Sequence, residues 1–246
     1  GRKERAKEIF HKLDEALSGE PDSPIRKAIA MELRMLDAKE GTATLRPLNR
    51  GGTIDANELA LMKAESFALL QQSRKTGGHA LEAARRLKAI IEAGKIDDDL
   101  LGNMMTYAQE LSAVDVGPYT DLAGAEFLLA NEHYFNALQK YETFFKEVDP
   151  PAGLNLDVYR YRWALAAYKA KIFEPGVQVL NKLLAKQSLS PELDRDASKL
   201  LYAIQAQRAQ KSDSPDSRKA LRMAAERFVS RNPQDPAADA ARLAIA

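Results

Sequence analysis

Cysteine is absent from the 246 residues, which excludes a disulfide framework and thiolate chemistry and fits a cytosolic or an envelope protein equally well. Histidine is scarce. His11, His79 and His133 lie far apart with no cysteine beside them, so no zinc-ligand spacing is present. No apolar run approaches the roughly 18 residues that a membrane-spanning helix needs, and no signal peptide is read at the N-terminus. Charge of one sign is missing as well: 36 Lys and Arg against 35 Asp and Glu leave a net charge of +1. A nucleic-acid binder should show a basic stripe or a high domain pI, so no nucleic acid is expected. The basic opening, Arg2 to Lys12, is interleaved with Glu4 and Glu8 and reads as a solvated helix face.

The chemical motifs are equally sparse. Asp97-Asp98-Asp99 lacks the alternating oxygen ligands, central Gly and terminal Glu of a calcium loop, and acidic residues at a helix start complement its dipole. Neither a Gly-rich phosphate loop ending in Lys-Ser or Lys-Thr nor a G-x-S-x-G elbow occurs. Arg50-Gly51-Gly52 is a single copy without flanking aromatics and reads as a glycine turn. Carboxylate pairs at helical spacing alternate with Lys and Arg and read as surface ion pairs. The expectation is a protein that is not an enzyme, holding neither metal nor cofactor.

What the chain does contain is helix-forming sequence. Alanine, leucine, lysine, arginine and glutamate are abundant, 45% of residues are apolar, and only 13 are glycine. Apolar periodicity predicts helices at 2–17, from Ser23-Pro24 to about Ala38, and at 55–74, 78–93 and 97–113. It then predicts pairs at 119–131 with 135–147, 157–170 with 175–186, and 193–209 with 216–231, before a last helix after Pro236. Between Lys39 and Ile54 the periodicity fails, which predicts a long loop. Helix 97–113 has no obvious partner. The predicted fold class is all-α, a right-handed array of antiparallel helical hairpins, with irregular hairpins over 1–118 and regular ones over 119–246.

One segment is more specific. Tyr134, Ala137, Tyr141 and Phe144, followed by Pro150, return as Phe173, Gly176, Leu180 and Leu183. Looser copies are Ala6, Phe10 and Leu13 before Pro21, then Ala83, Leu87 and Ile90, and Ala220 and Ala224 before Asn232-Pro233. The pattern resembles the second helix of a tetratricopeptide repeat, over residues 119–246 and more loosely before them. In such a repeat the small residue lets the helices of a hairpin approach closely while the larger ones fill the groove toward the next hairpin. The resemblance implies a solenoid (TPR-like) whose concave face binds a partner. Laid on this chain, it places Leu122, Glu126 and Leu129, then Tyr161, Leu165, Tyr168 and Lys169, then Gln207 and Arg208 on that face. Trp163 falls off it, in the core.

Most of the aromatic residues lie between Tyr119 and Phe173, and tyrosine is enriched in binding surfaces. The clamp that holds chaperone tails uses Lys and Asn where this chain has Glu126, Tyr161 and Leu165, so that ligand is not expected. The segment from Ala225 to Ala241 resembles repeats of bacterial outer-membrane assembly proteins, which points toward a periplasmic or cell-envelope setting. The opening at Gly1 and the unpaired helices at both ends read as a slice of a longer chain. The reading is a non-catalytic scaffold for a protein partner in a multi-component assembly. Alternatives are a helical module of polysaccharide export or peptidoglycan processing that contacts glycan, and a structural spacer.

Overall fold

The computed structural model describes residues 2–19, 25, 26, 29, 30, 33, 36, 54–76, 79–112, 114, 117–147 and 154–245. Among them there is no strand and 81% are helical, so the described part of the chain is all-α. Among the described residues twelve helices have both ends defined: α1 (Arg2–Ala16), α2 (Ala56–Thr76), α3 (Ala80–Glu92), α4 (Asp98–Thr106), α5 (Ala108–Leu111), α6 (Tyr119–Ala130), α7 (Tyr134–Glu147), α8 (Leu156–Lys169), α9 (Phe173–Leu184), α10 (Pro191–Lys211), α11 (Pro215–Arg231) and α12 (Ala238–Ile245). Ile25, Arg26, Ile29, Ala30, Leu33 and Leu36 are also helical. The Ser23-Pro24 start, residues 39–53 and Arg50-Gly51-Gly52 lie outside the described residues. No described helix is long and apolar enough to cross a membrane.

Helix starts follow short polar side chains that accept a backbone N–H. Asp97 accepts from Leu100 at 2.7 Å, Ser190 from Leu193 at 3.3 Å and Ser214 from Ser217 at 3.1 Å. Pro191 and Pro215 stand at the first helical position, where a missing N–H costs nothing. Helix ends are less obvious. Gly94, Glu132 and Lys171 are all left-handed, at φ 67°, 62° and 60°. Each donates its N–H to the carbonyl three residues back, while the next residue reaches five back: Lys95 to Ile90, His133 to Leu128, Ile172 to Ala167. This is the Schellman closure, which satisfies the orphan carbonyls. Only one of the three uses the glycine that a left-handed residue favours.

Contacts divide the chain into two units, residues 1–124 with 151–154, and residues 125–150 with 155–246. In the first, α2 packs on α3, and α5 packs on α2, α3 and α4. Leu70, Leu87, Ile90, Leu100, Met104 and Leu111 are fully buried there. Arg86 is buried among them: its Nη1 donates to Glu65 Oε2 at 2.7 Å, and its Nη2 lies 3.3 Å from Glu82. The sequence predicts one helix over 97–113, but it breaks at Tyr107. There Arg74 donates to the Thr106 carbonyl and to Glu110, and its guanidinium lies 4.5 Å over the Tyr107 ring, which stacks on Phe67. The Thr106 carbonyl is thus engaged from outside the helix, and the segment divides into two short helices, the second of which packs on α2 and α3.

In the second unit consecutive helices pack from α7 through α12, and α8 also packs on α10. Ala164, Leu180, Leu183, Ala197, Leu200 and Ile204 form the centre of one apolar cluster, and Ala225, Phe228 and Ala241 a smaller one. Tyr141, Phe144 and Ala137 are fully buried, as the repeat pattern requires. At the matching position Gly176, a methyl group would stand 3.2 Å from Ala167 Cβ and 3.3 Å from Ile204 Cδ1. The close approach expected of the small residue is real.

Candidate functional site

Leu122, which the repeat template puts on the concave face, is fully buried; the other residues singled out from sequence fall into two groups within the second unit. The first centres on α8 and α10. The Tyr168 hydroxyl accepts a hydrogen bond from Gln207 Nε2 at 3.0 Å, across 39 residues of chain. Toward the start of both helices, the charge of Asp196 acts on Tyr161, whose hydroxyl is held above its ordinary pKa by burial first and by that carboxylate second. Early residue to early residue and late to late, the two helices run in the same direction. Glu132 and Lys171, the left-handed residues of two successive turns, repeat at that same spacing of 39. Tyr161, Leu165 and Tyr168 are half-buried and pack against the apolar cluster on one side. Arg208 reaches Glu174 at 3.1 Å, and Lys169 is exposed. Leu129 is half-buried on α6.

The second group centres on Glu126. It is 7% exposed, and both its oxygens are engaged: the Tyr141 hydroxyl donates to one and Arg162 Nη1 to the other. Burial, then the Glu126 charge, holds the Tyr141 hydroxyl far above its usual pKa, so it stays protonated and remains a donor. A buried carboxylate paired and hydrogen-bonded in this way is stable. Its consequence at the surface is Arg162, 43% exposed and tethered at one nitrogen.

Arg162 is missing from the sequence prediction although it adjoins Tyr161. The usable signal is the heptad Tyr161-Arg162 and Tyr168-Lys169, which repeats an aromatic-cation pair two turns apart on one face. Phe173 is read from the sequence only as a packing position, and Lys211 is not singled out there. The Lys211 ammonium lies 5.0 Å over the Phe173 ring. Trp163 stacks on Phe145 at 5.3 Å and packs on the same apolar cluster, off the tyrosine face. Among the described residues, no group of three or more His, Asp or Glu is placed to hold a metal ion.

No protein-family model, curated protein or solved structure matches this chain.

Proposed function

We propose that the second unit is a non-catalytic protein-interaction scaffold of the tetratricopeptide type, working within a bacterial multi-component assembly. The observation that carries this reading is the Tyr168–Gln207 bond. It joins side chains on two first helices of successive hairpins, so that Tyr161, Leu165, Tyr168, Gln207 and Arg208 lie along two parallel neighbouring helices. Tyrosine rings with one apolar and one polar end, beside a flexible amide and a guanidinium, are the composition of interface hot spots. In this reading Glu126 acts behind the surface by fixing Arg162, and Leu129 and Lys169 extend the same face.

The test is site-specific photo-crosslinking from positions 165 and 208, with exposed Leu81 in the first unit as control. A discrete protein adduct from 165 and 208 but not from 81 is expected. The adduct should then bind the purified protein in calorimetry, and more weakly after Tyr161→Ala with Tyr168→Ala. Absence of any adduct at 165 and 208, with the fold intact by circular dichroism, overturns the scaffold reading.

A further inference from the structure

The late ends of α8 and α10 meet at the Tyr168–Gln207 bond, and cations collect there. Lys169 and Lys171 are exposed, and neither has an ion-pair partner among the described residues. Arg208 and Lys211 come from α10, the first paired with Glu174 and the second stacked over Phe173. Among the described residues Glu174 is the one carboxylate seen engaged with this group. Asp213, just beyond, is taken by Arg218, and Asp157 by Arg160 and Lys186. Four cations against one carboxylate make a local excess of positive charge in a chain that is otherwise balanced. Complementing a helix dipole accounts for cations in a last turn, but Lys171 lies beyond α8, in the turn.

We propose that this cationic and aromatic end of the α8–α10 layer docks an extended acidic segment, a run of Asp or Glu, of a partner protein. The proposal rests on the scaffold reading and names the chemistry of its partner. Glu174 shows the kind of ligand that suits Arg208: a partner carboxylate replaces it like for like. The half-buried Tyr168 and Phe173 and the Gln207 amide suit a peptide backbone and its methylenes. Nucleic-acid binders typically make about 6–10 phosphate contacts, and anionic membrane binders carry about 4–8 clustered cations. A patch of four, carrying its own carboxylate, falls short of the first and sits at the floor of the second. Charge complementarity of this size sets partner choice and association rate more than affinity.

The experiment measures binding of a fluorescein-labelled hexaglutamate peptide by anisotropy at low and high salt. Hexalysine, phosphatidylglycerol vesicles and oligo-dT are compared with it. The expected result is salt-sensitive capture of hexaglutamate alone, weakened about tenfold by Lys169→Glu with Lys171→Glu. Lys219→Glu with Arg222→Glu on α11 should leave it unchanged. Both pairs are exposed, and circular dichroism checks the fold. Equal binding after the Lys169 and Lys171 reversal, or preference for vesicles or oligo-dT, overturns the proposal. If hexaglutamate fails to bind while the adducts at 165 and 208 persist, the acidic-segment assignment falls and the scaffold reading stands. Hexaglutamate binding without those adducts overturns the scaffold reading and, with it, the assignment of the acidic segment to a partner protein.

Discussion

Gly176 stands against Ala167 so closely that a methyl group on it would lie 3.2 Å from the alanine Cβ. The contact separates two glycines that look alike in sequence. Gly102 in α4 has nothing within 4 Å of the same virtual methyl. Replacing glycine by alanine in a helix interior is worth about 0.5–1 kcal/mol. Gly102→Ala is therefore expected to raise thermal stability by that amount. Gly176→Ala should gain nothing net, and Gly176→Leu should lose about 1–3 kcal/mol or more by overpacking. Urea unfolding of the three variants measures this, and a stabilised Gly176→Leu would show that α8 and α9 are not seated as described.

Left-handed residues other than glycine carry strain. Glu132 and Lys171 both take φ near 60°, a conformation that costs a residue with a Cβ about 1–2 kcal/mol. Glu132→Gly and Lys171→Gly are each expected to stabilise by up to about 1 kcal/mol once the entropy of glycine is counted. Differential scanning calorimetry reads the result, and Glu132→Ala serves as the comparison that should not stabilise.

The Arg86–Glu65 pair predicts an asymmetry. Arg86→Met strands the buried Glu65 carboxylate and should cost about 3–5 kcal/mol, whereas Glu65→Leu leaves Arg86 with Glu82 at 3.3 Å and should cost less. The double substitution restores neutrality and should recover most of that loss. Chemical denaturation of the two singles and the double forms the cycle, and additive losses would count against a coupled pair.

Stability should depend on pH at both ends. Burial pushes the Asp97 carboxyl up, but the Lys63 ammonium and the Leu100 N–H outweigh it, so its pKa lies below the ordinary value. Glu110 behaves likewise beside Arg74. A lowered folded pKa gives stability that is complete above the unfolded value, about 4, and is lost as pH falls through the folded one. Asp97→Asn should therefore lower the melting temperature at pH 7 and hardly at all near pH 2. Tyr141 and Tyr161 are raised, so their contribution is complete below about pH 10 and fades above it. Tyr141→Phe should flatten the alkaline loss, as followed by melting temperature from pH 8 to 11.

Helix positions were legible because they rest on local periodicity. The small residue at 176 and the buried Tyr141 and Phe144 were readable from the repeat pattern for the same reason. That Tyr161 and Tyr168 pack against one cluster from α8 was legible too, since two residues seven apart share a side of any helix. Three things were not. Arg86 and Glu65 read as surface charges until the fold puts them in one interior, 21 residues apart. The break at Tyr107 depends on Arg74, 32 residues before the carbonyl it takes. Glu126 reads as a binding residue on its own helix, yet its oxygens are occupied by Tyr141 and Arg162, and no periodicity within one helix encodes such a pairing.

The buried guanidinium also fixes alignment. The seam between α2 and α3 is largely alanine and leucine, and side chains of that kind slide past one another at little expense. A slip of one turn, about 5.4 Å, would exchange one leucine for another and keep most of the apolar contact. It would also carry Arg86, together with Glu82 on the same helix, away from Glu65 and strand that buried carboxylate out of water. The ion pair thereby makes the neighbouring alignments of the hairpin the costly ones, and a seam that apolar contact alone would leave in several registers settles into one.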